Sequence, residues 1–250
     1  VDGAIREMEW ARQNGFRAVI LDKVFPVQEH CFSDPFGSHR ELWPFFARAE
    51  QLGMPLFLHN IQHGHRITNL MNYQFNGLDA LAPQEGQMSL VSLITSGLLD
   101  DYPKLNFVFT EAGVAFIKPL VAHLDAWFGN TVVDYESEDA APRFNYRKLA
   151  GGKRIVSEQD YKSKNKQAPS HYFKTNLFFT IETEEPELPA AIHEFGATQF
   201  LFATDYPHDD PGGRMKYKDV ELLDANRDIS GADKDLLRHK NAERLLKCGD

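Results

Sequence analysis

Three apolar stretches of this chain each run into a side chain that can bind a metal or move a proton. Pro55-Leu56-Phe57-Leu58 leads into His59, Asn106-Phe107-Val108-Phe109-Thr110 into Glu111, and Leu201-Phe202-Ala203-Thr204 into Asp205. In parallel α/β proteins the carboxyl ends of strands are where chemistry is placed. One imidazole and two carboxylates delivered to such a rim suit a hard or borderline divalent ion. Their convergence reads as an enzyme.

Each residue has a plainer reading beside the functional one. His59 is either an imidazole facing the mouth of a barrel or a packed histidine satisfied by a carbonyl. His63 and His65, as His-Gly-His, share a face if extended and could chelate an ion, or they are simply exposed in a loop. Glu111 ends a strand of Phe-Val-Phe, where an unpaired carboxylate would cost on the order of several kcal/mol. It therefore needs a cation, a proton, or the positive end of a helix beginning near Gly113. Asp205 precedes Tyr206-Pro207, and the proline keeps Tyr206 extended, fixing the direction of the carboxylate before it. So placed, Asp205 could bind a metal and accept a proton from its bound water, or it could initiate a turn. His208 is a substrate contact, a partner to a ligand, or part of the loop wall. No G-x-S-x-G elbow, P-loop or C-x-x-C is present, and Cys31 has no activating partner evident in the sequence.

The surrounding pattern alternates helices and strands. Ala4 to Asn14 is helical by spacing, with Gly15 as its stop, and Arg17 to Leu21 is a short buried strand. A second helix starts near Ser38, where Glu41 completes a capping box, and ends at Gly53 before the strand 55–59. Met88, Val91, Ile94 and Leu98 mark a helix ahead of the strand 106–111. Gly113 opens the next helix, with Ile117, Leu120, Val121 and Leu124 on its buried side. The strand 176–181, a helix through Leu188, Ile192 and Phe195, the strand 200–204, and helices at 219–225 and 232–246 complete the chain. Five strands joined by helices imply a parallel sheet. Strand Arg17 to Leu21 is followed by no glycine-rich turn, which favours a (β/α)8 barrel over an open doubly wound sheet.

Bulk properties exclude other classes. A chain of 250 residues with 42% hydrophobic and 25% charged content is ordinary for a globular protein, and a net charge of −9 argues against nucleic acid. No run is long and apolar enough to span a membrane. Two distant cysteines, Cys31 and Cys248, favour a reducing, cytoplasmic compartment over a disulfide framework. The aromatic residues Tyr206, Phe25 and Trp43 suggest a flat apolar substrate, although core packing explains aromatics equally well.

In order along the chain, AIREMEWARQNGFR (4–17), LWPFFARAEQLGMPLFLH (42–59), Tyr102-Pro103-Lys104-Leu105 leading to Phe109-Thr110-Glu111-Ala112-Gly113, Phe202-Ala203-Thr204-Asp205-Tyr206-Pro207-His208, and Asn241-Ala242-Glu243-Arg244-Leu245-Leu246 resemble the amidohydrolase superfamily. The branch they resemble is amidohydrolase-2, which includes the aminocarboxymuconate-semialdehyde decarboxylase-like enzymes. The resemblance implies a TIM barrel, (β/α)8, of which residues 1–250 form a single domain carrying about strands 4–8. It implies a divalent ion, zinc first with manganese or iron as alternatives, held by His59 and Asp205. Glu111 stands where many members place an acid/base histidine, and would keep proton transfer and add a ligand.

The family's first-strand H-x-H or E-x-H pair has no counterpart. His63-Gly64-His65 has the spelling but follows the fifth barrel strand. The chain therefore reads as part of a longer enzyme, or as a fragment with exposed sheet edges. The expected activity is metal-dependent hydrolysis of an ester, amide or thioester. The alternatives are non-oxidative decarboxylation of an aromatic or enoic acid, and a non-catalytic barrel fragment. The expected partners are a small-molecule substrate and, by family analogy, a second copy in a homodimer.

Overall fold

Five short strands pair in parallel in the order in which they occur along the chain, and that order decides the architecture. They are β1 (Val19–Asp22), β4 (Leu56–His59), β5 (Phe107–Phe109), β6 (Leu177–Ile181) and β7 (Phe200–Phe202), adjacent as β1-β4-β5-β6-β7. A doubly wound sheet reverses its strand order at a switch point, whereas here each strand adds to the same side of its predecessor. Such one-way winding is that of a (β/α) barrel. A separate antiparallel pair, β2 (Phe25–Val27) with β3 (Phe32–Asp34), follows β1. The computed structural model describes residues 1–22, 25–27, 32–34, 39–59, 75–128, 164–204 and 218–248.

The two faces of the sheet bury different partners. Leu56, Leu58, Phe107, Phe109, Leu177, Phe179 and Phe200 point to the helices and form the main core with Phe46, Leu93, Ile117 and Ile192. Aromatic contact knits this layer: Phe179 stacks on Phe109 at 5.6 Å and on Phe173 at 5.9 Å. Alternate residues Phe57, Val108, Phe178 and Leu201 face the other way, against Ala242 and Leu245 of the terminal helix Asn241–Leu246. At the sheet edge Ile20 is 70% exposed. Among the described residues, β1 and β7 are the two edges of this sheet.

Several boundaries differ from those read in the sequence. The helix placed at Ser38 begins instead as a 3-10 turn, Arg40–Leu42, and becomes α-helical at Trp43–Leu52 with proline in its first turn. The Glu41 carboxylate meets His39 Nδ1 at 2.8 Å, and Ser38, the other end of the expected capping box, lies outside the described residues. Gly53 ends that helix in the left-handed conformation, as expected. The helix marked by Met88, Val91, Ile94 and Leu98 spans Phe75–Thr95, with Leu98 opening a separate turn, Leu98–Asp101; Ile94 is buried as read, together with Leu90 and Leu93, whereas Met88 is exposed. The helix read as opening at Gly113 starts later, at Ile117. The terminal helix is divided into Gly231–Asp235, a π turn at Leu236–Lys240, and Asn241–Leu246. Trp43 is buried against Tyr102 beneath the Arg40 guanidinium, so it belongs to the core.

Candidate active site

Parallel register brings the strand ends to one rim. Asp22 pairs with His59 across β1 and β4, and Leu58 with Phe109 across β4 and β5. Beyond that last pair, both the amide and the hydroxyl of Thr110 donate to the Leu58 carbonyl, at 3.1 and 2.9 Å. His59 and the turn after β5 are thereby held side by side.

Simple alternation would send Glu111 away from His59, toward the helices. Instead the chain turns through a left-handed residue at Glu111 itself, with φ 50°, and its carboxylate swings to the inner side. Glu111 Oε1 lies 3.2 Å from His59 Nε2, and both side chains are a little over one-third exposed, at 37% and 39%. A non-glycine residue in this conformation costs about 1–3 kcal/mol, a strain that tends to collect at functional sites. The alternative role for Glu111 is removed by the same geometry. The next helix begins six residues later, at Ile117, so Glu111 is not its cap.

The turn after β5 is gripped from β6 and its loop. The Glu111 amide donates to Thr180 Oγ1 at 3.1 Å, and the Val114 amide donates to Glu185 Oε2 at 2.6 Å. Glu185 Oε1 accepts from the Glu182 amide at 3.1 Å. Burial pushes the Glu185 carboxyl above the usual range, and the nearby Glu182 and Glu187 push it the same way against these two hydrogen bonds. On the other side of the loop, Thr183 donates to the buried Asp219 at 3.1 Å.

The pair fits a divalent ion. Ligand bonds of about 2.1 Å set at tetrahedral to octahedral angles separate two donor atoms by about 3.0–3.4 Å. His59 Nε2 and Glu111 Oε1 stand at such a spacing. Among the described residues no group of three His, Cys, Asp or Glu side chains is close enough to hold a metal. Asp205, Tyr206, His208, His63, His65 and Cys31 lie outside the described residues. A cavity of about 420 Å³ lies at the opposite, amino end of the strands, between Asn106, Phe178, Gln199 and Leu245, and neither His59 nor Glu111 lines it.

Two participants went unread in the sequence. Glu182 directly follows the apolar strand Leu177–Ile181, so the pattern that marks Glu111 and Asp205 also marks it. Glu185 carries no such signal, since a run of acids before Pro186 reads as a solvated turn.

The amidohydrolase family profile matches residues 1–248. Gamma-resorcylate decarboxylases from a Polaromonas and a Rhizobium species are 26% and 25% identical, over 83% and 82% of this chain and 55% and 54% of their own lengths. The chain spans about half the length of these curated relatives. Among solved structures, an amidohydrolase from Mycobacterium avium subsp. paratuberculosis superposes with a TM-score of 0.69 at 18% identity, covering 97% of this chain and 54% of the other. A 2,6-dihydroxybenzoate decarboxylase from Rhizobium gives 0.65 at 20%, covering 100% and 68%. A dihydroxybenzoic acid decarboxylase from Polaromonas, solved with manganese and the inhibitor 2-nitroresorcinol, gives 0.64 at 22%, covering 98% and 65%. These superpositions make the one-way parallel sheet part of a (β/α)8 barrel, as the strand order requires. With the profile matched along nearly its whole length, the chain belongs to the amidohydrolase family.

Proposed function

We propose that this chain carries the later strands of a metal-dependent, non-oxidative carboxy-lyase acting on a hydroxylated aromatic acid. The contact that carries the reading is His59 Nε2 against Glu111 Oε1 at 3.2 Å, on neighbouring strand ends. The choice of reaction rests on the relatives: the curated proteins matched are decarboxylases of a dihydroxybenzoate. Decarboxylation thus displaces hydrolysis, the first expectation from sequence.

His59 and Asp205 would hold a divalent ion, with Glu111 as a further ligand or as the acid beside it. When bound, such an ion supplies a fixed positive charge for substrate oxygens and acidifies a water. Manganese is favoured over zinc, because solved neighbours carry it. In the reaction the bond between ring and carboxylate breaks, the electron pair stays on the ring carbon, and carbon dioxide leaves. That carbon must then gain a proton. Glu111 is the candidate donor, since its carboxyl is one-third exposed at the mouth and hydrogen-bonded to neither Thr180 nor Glu185 through its side chain. Asp205, at the end of β7's sequence run, is the second candidate. A homodimer with this domain as its catalytic unit goes with the same reading and rests on family analogy, and a cytoplasmic compartment rests on the two distant cysteines.

The test is incubation of the manganese-loaded full-length protein with 2,6-dihydroxybenzoate and 5-carboxyvanillate, with carbon dioxide release followed. Release from either is expected. Hydrolysis of p-nitrophenyl esters with no release of carbon dioxide would return the reading to a hydrolase, and inertness toward all of these would favour a non-catalytic barrel.

A further inference from the structure

We propose that Glu185 is a positioning residue that aims the Glu111 carboxyl at the site, with Thr180 as its counterpart at the other end of the same turn; this rests on the role given to Glu111 above. The turn from Glu111 to Val114 has to leave β5 through two left-handed residues, Glu111 at φ 50° and Gly113 at φ 67°. Nothing intrinsic to L-residues favours that path. It is fixed at both ends from outside: Thr180 takes the Glu111 amide and Glu185 takes the Val114 amide, at 3.1 and 2.6 Å. Close approach is built in, because a β-carbon added at Gly113 would come within 3.1 Å of Glu185 Oε2. A side chain there would be strained at this φ and would crowd the carboxylate that holds the Val114 amide.

Glu185 is in turn oriented. Its second oxygen accepts from the Glu182 amide at 3.1 Å, and the Thr183 hydroxyl ties the intervening segment to Asp219 at 3.1 Å. The choice of a carboxylate is informative. The Val114 and Glu182 amides each need an acceptor, and a carboxylate offers one oxygen to each, whereas a side-chain amide offers a single oxygen beside an N–H donor. The half-buried charge among Glu182 and Glu187 carries a cost in desolvation. A charged acceptor forms the shorter, stronger hydrogen bond that a strained turn needs.

The experiment uses full-length, manganese-loaded protein with 2,6-dihydroxybenzoate, and compares Glu185→Ala, Glu185→Gln and Glu111→Gln. Glu185→Ala should lower kcat by about 10- to 100-fold with KM unchanged, the scale expected of a misplaced acid. Amide exchange at Val114 should speed up in the same protein. Glu185→Gln, which keeps one acceptor for Val114, should recover part of kcat, and it carries the test if the alanine variant does not fold. A silent Glu185→Gln or Glu185→Ala beside an inactive Glu111→Gln would overturn this inference and leave the proposed function standing. Full turnover in Glu111→Gln would overturn the role given to Glu111 and this inference with it, and inertness of the unsubstituted protein would overturn the proposed function.

Discussion

The buried side chains that tie the backbone at the amino end of the five strands differ in kind from the groups at the carboxyl end. At the amino end, buried amides staple the chain: Asn176 donates to the Pro103 and Leu105 carbonyls, Gln199 to Leu177, and Asn241 to Ala197 and Phe200, all between 2.8 and 3.0 Å. None of these side chains titrates, and each is at most 4% exposed. At the carboxyl end stand ionisable, partly exposed groups, His59, Glu111 and Glu185, on a backbone bent through left-handed turns. One rim satisfies backbone groups at low cost, and the other accepts strain and desolvation. The difference is that expected of a barrel, in which one face holds the fold and the other holds the chemistry.

Substitutions that cross this divide should separate the two roles. The largest effect is expected from Glu111→Gly in the full-length protein. Its carbon dioxide release should fall about 10²- to 10⁴-fold, the contribution of a positioned acid. Its stability to urea should rise at the same time, by up to about 1 kcal/mol, because glycine relieves the left-handed strain less its own entropy cost. Loss of stability with activity retained would show the turn to be structural.

Next in size, Asn241→Ala leaves two buried carbonyls unmatched and should destabilise by about 2–4 kcal/mol. Turnover per folded molecule should be unchanged, as assayed below the new melting temperature. A selective fall in kcat would break the contrast between the rims.

The smallest effect concerns pH. Burial raises the Glu185 carboxyl in the folded protein above its unfolded value near 4.5. Folding therefore favours the protonated form, so this group's contribution is full below that value and is lost as pH rises through the folded pKa. Thermal melts from pH 4 to 7 should show the wild type losing ground to Glu185→Gln across that range. Parallel curves would mean that the carboxyl is not desolvated.

The strands and their direction were legible because continuous runs such as Phe107–Phe109 and Leu177–Phe179 are buried on both faces and need no turn chemistry to be recognised. His59 and Glu111 were legible for the same reason, as polar side chains ending such runs. Helix starts were less so. Glu41 has the spacing of a capping residue, yet the nearer His39 takes its carboxylate. The β2–β3 pair escaped notice because three-residue strands with Pro26 in one of them carry little strand signal. The flip of Glu111 toward His59 and the grip of Glu185 on Val114 depend on contacts 52 to 71 residues apart, which no local pattern records.

The most direct check is to measure bound manganese and carbon dioxide release together in full-length Asp205→Asn. If the carboxyl rim holds an ion between the imidazole at 59 and the carboxylate at 205, manganese falls well below one per chain and turnover drops by at least about 10²-fold. An Asp205→Asn protein with full metal content and undiminished release would contradict the account.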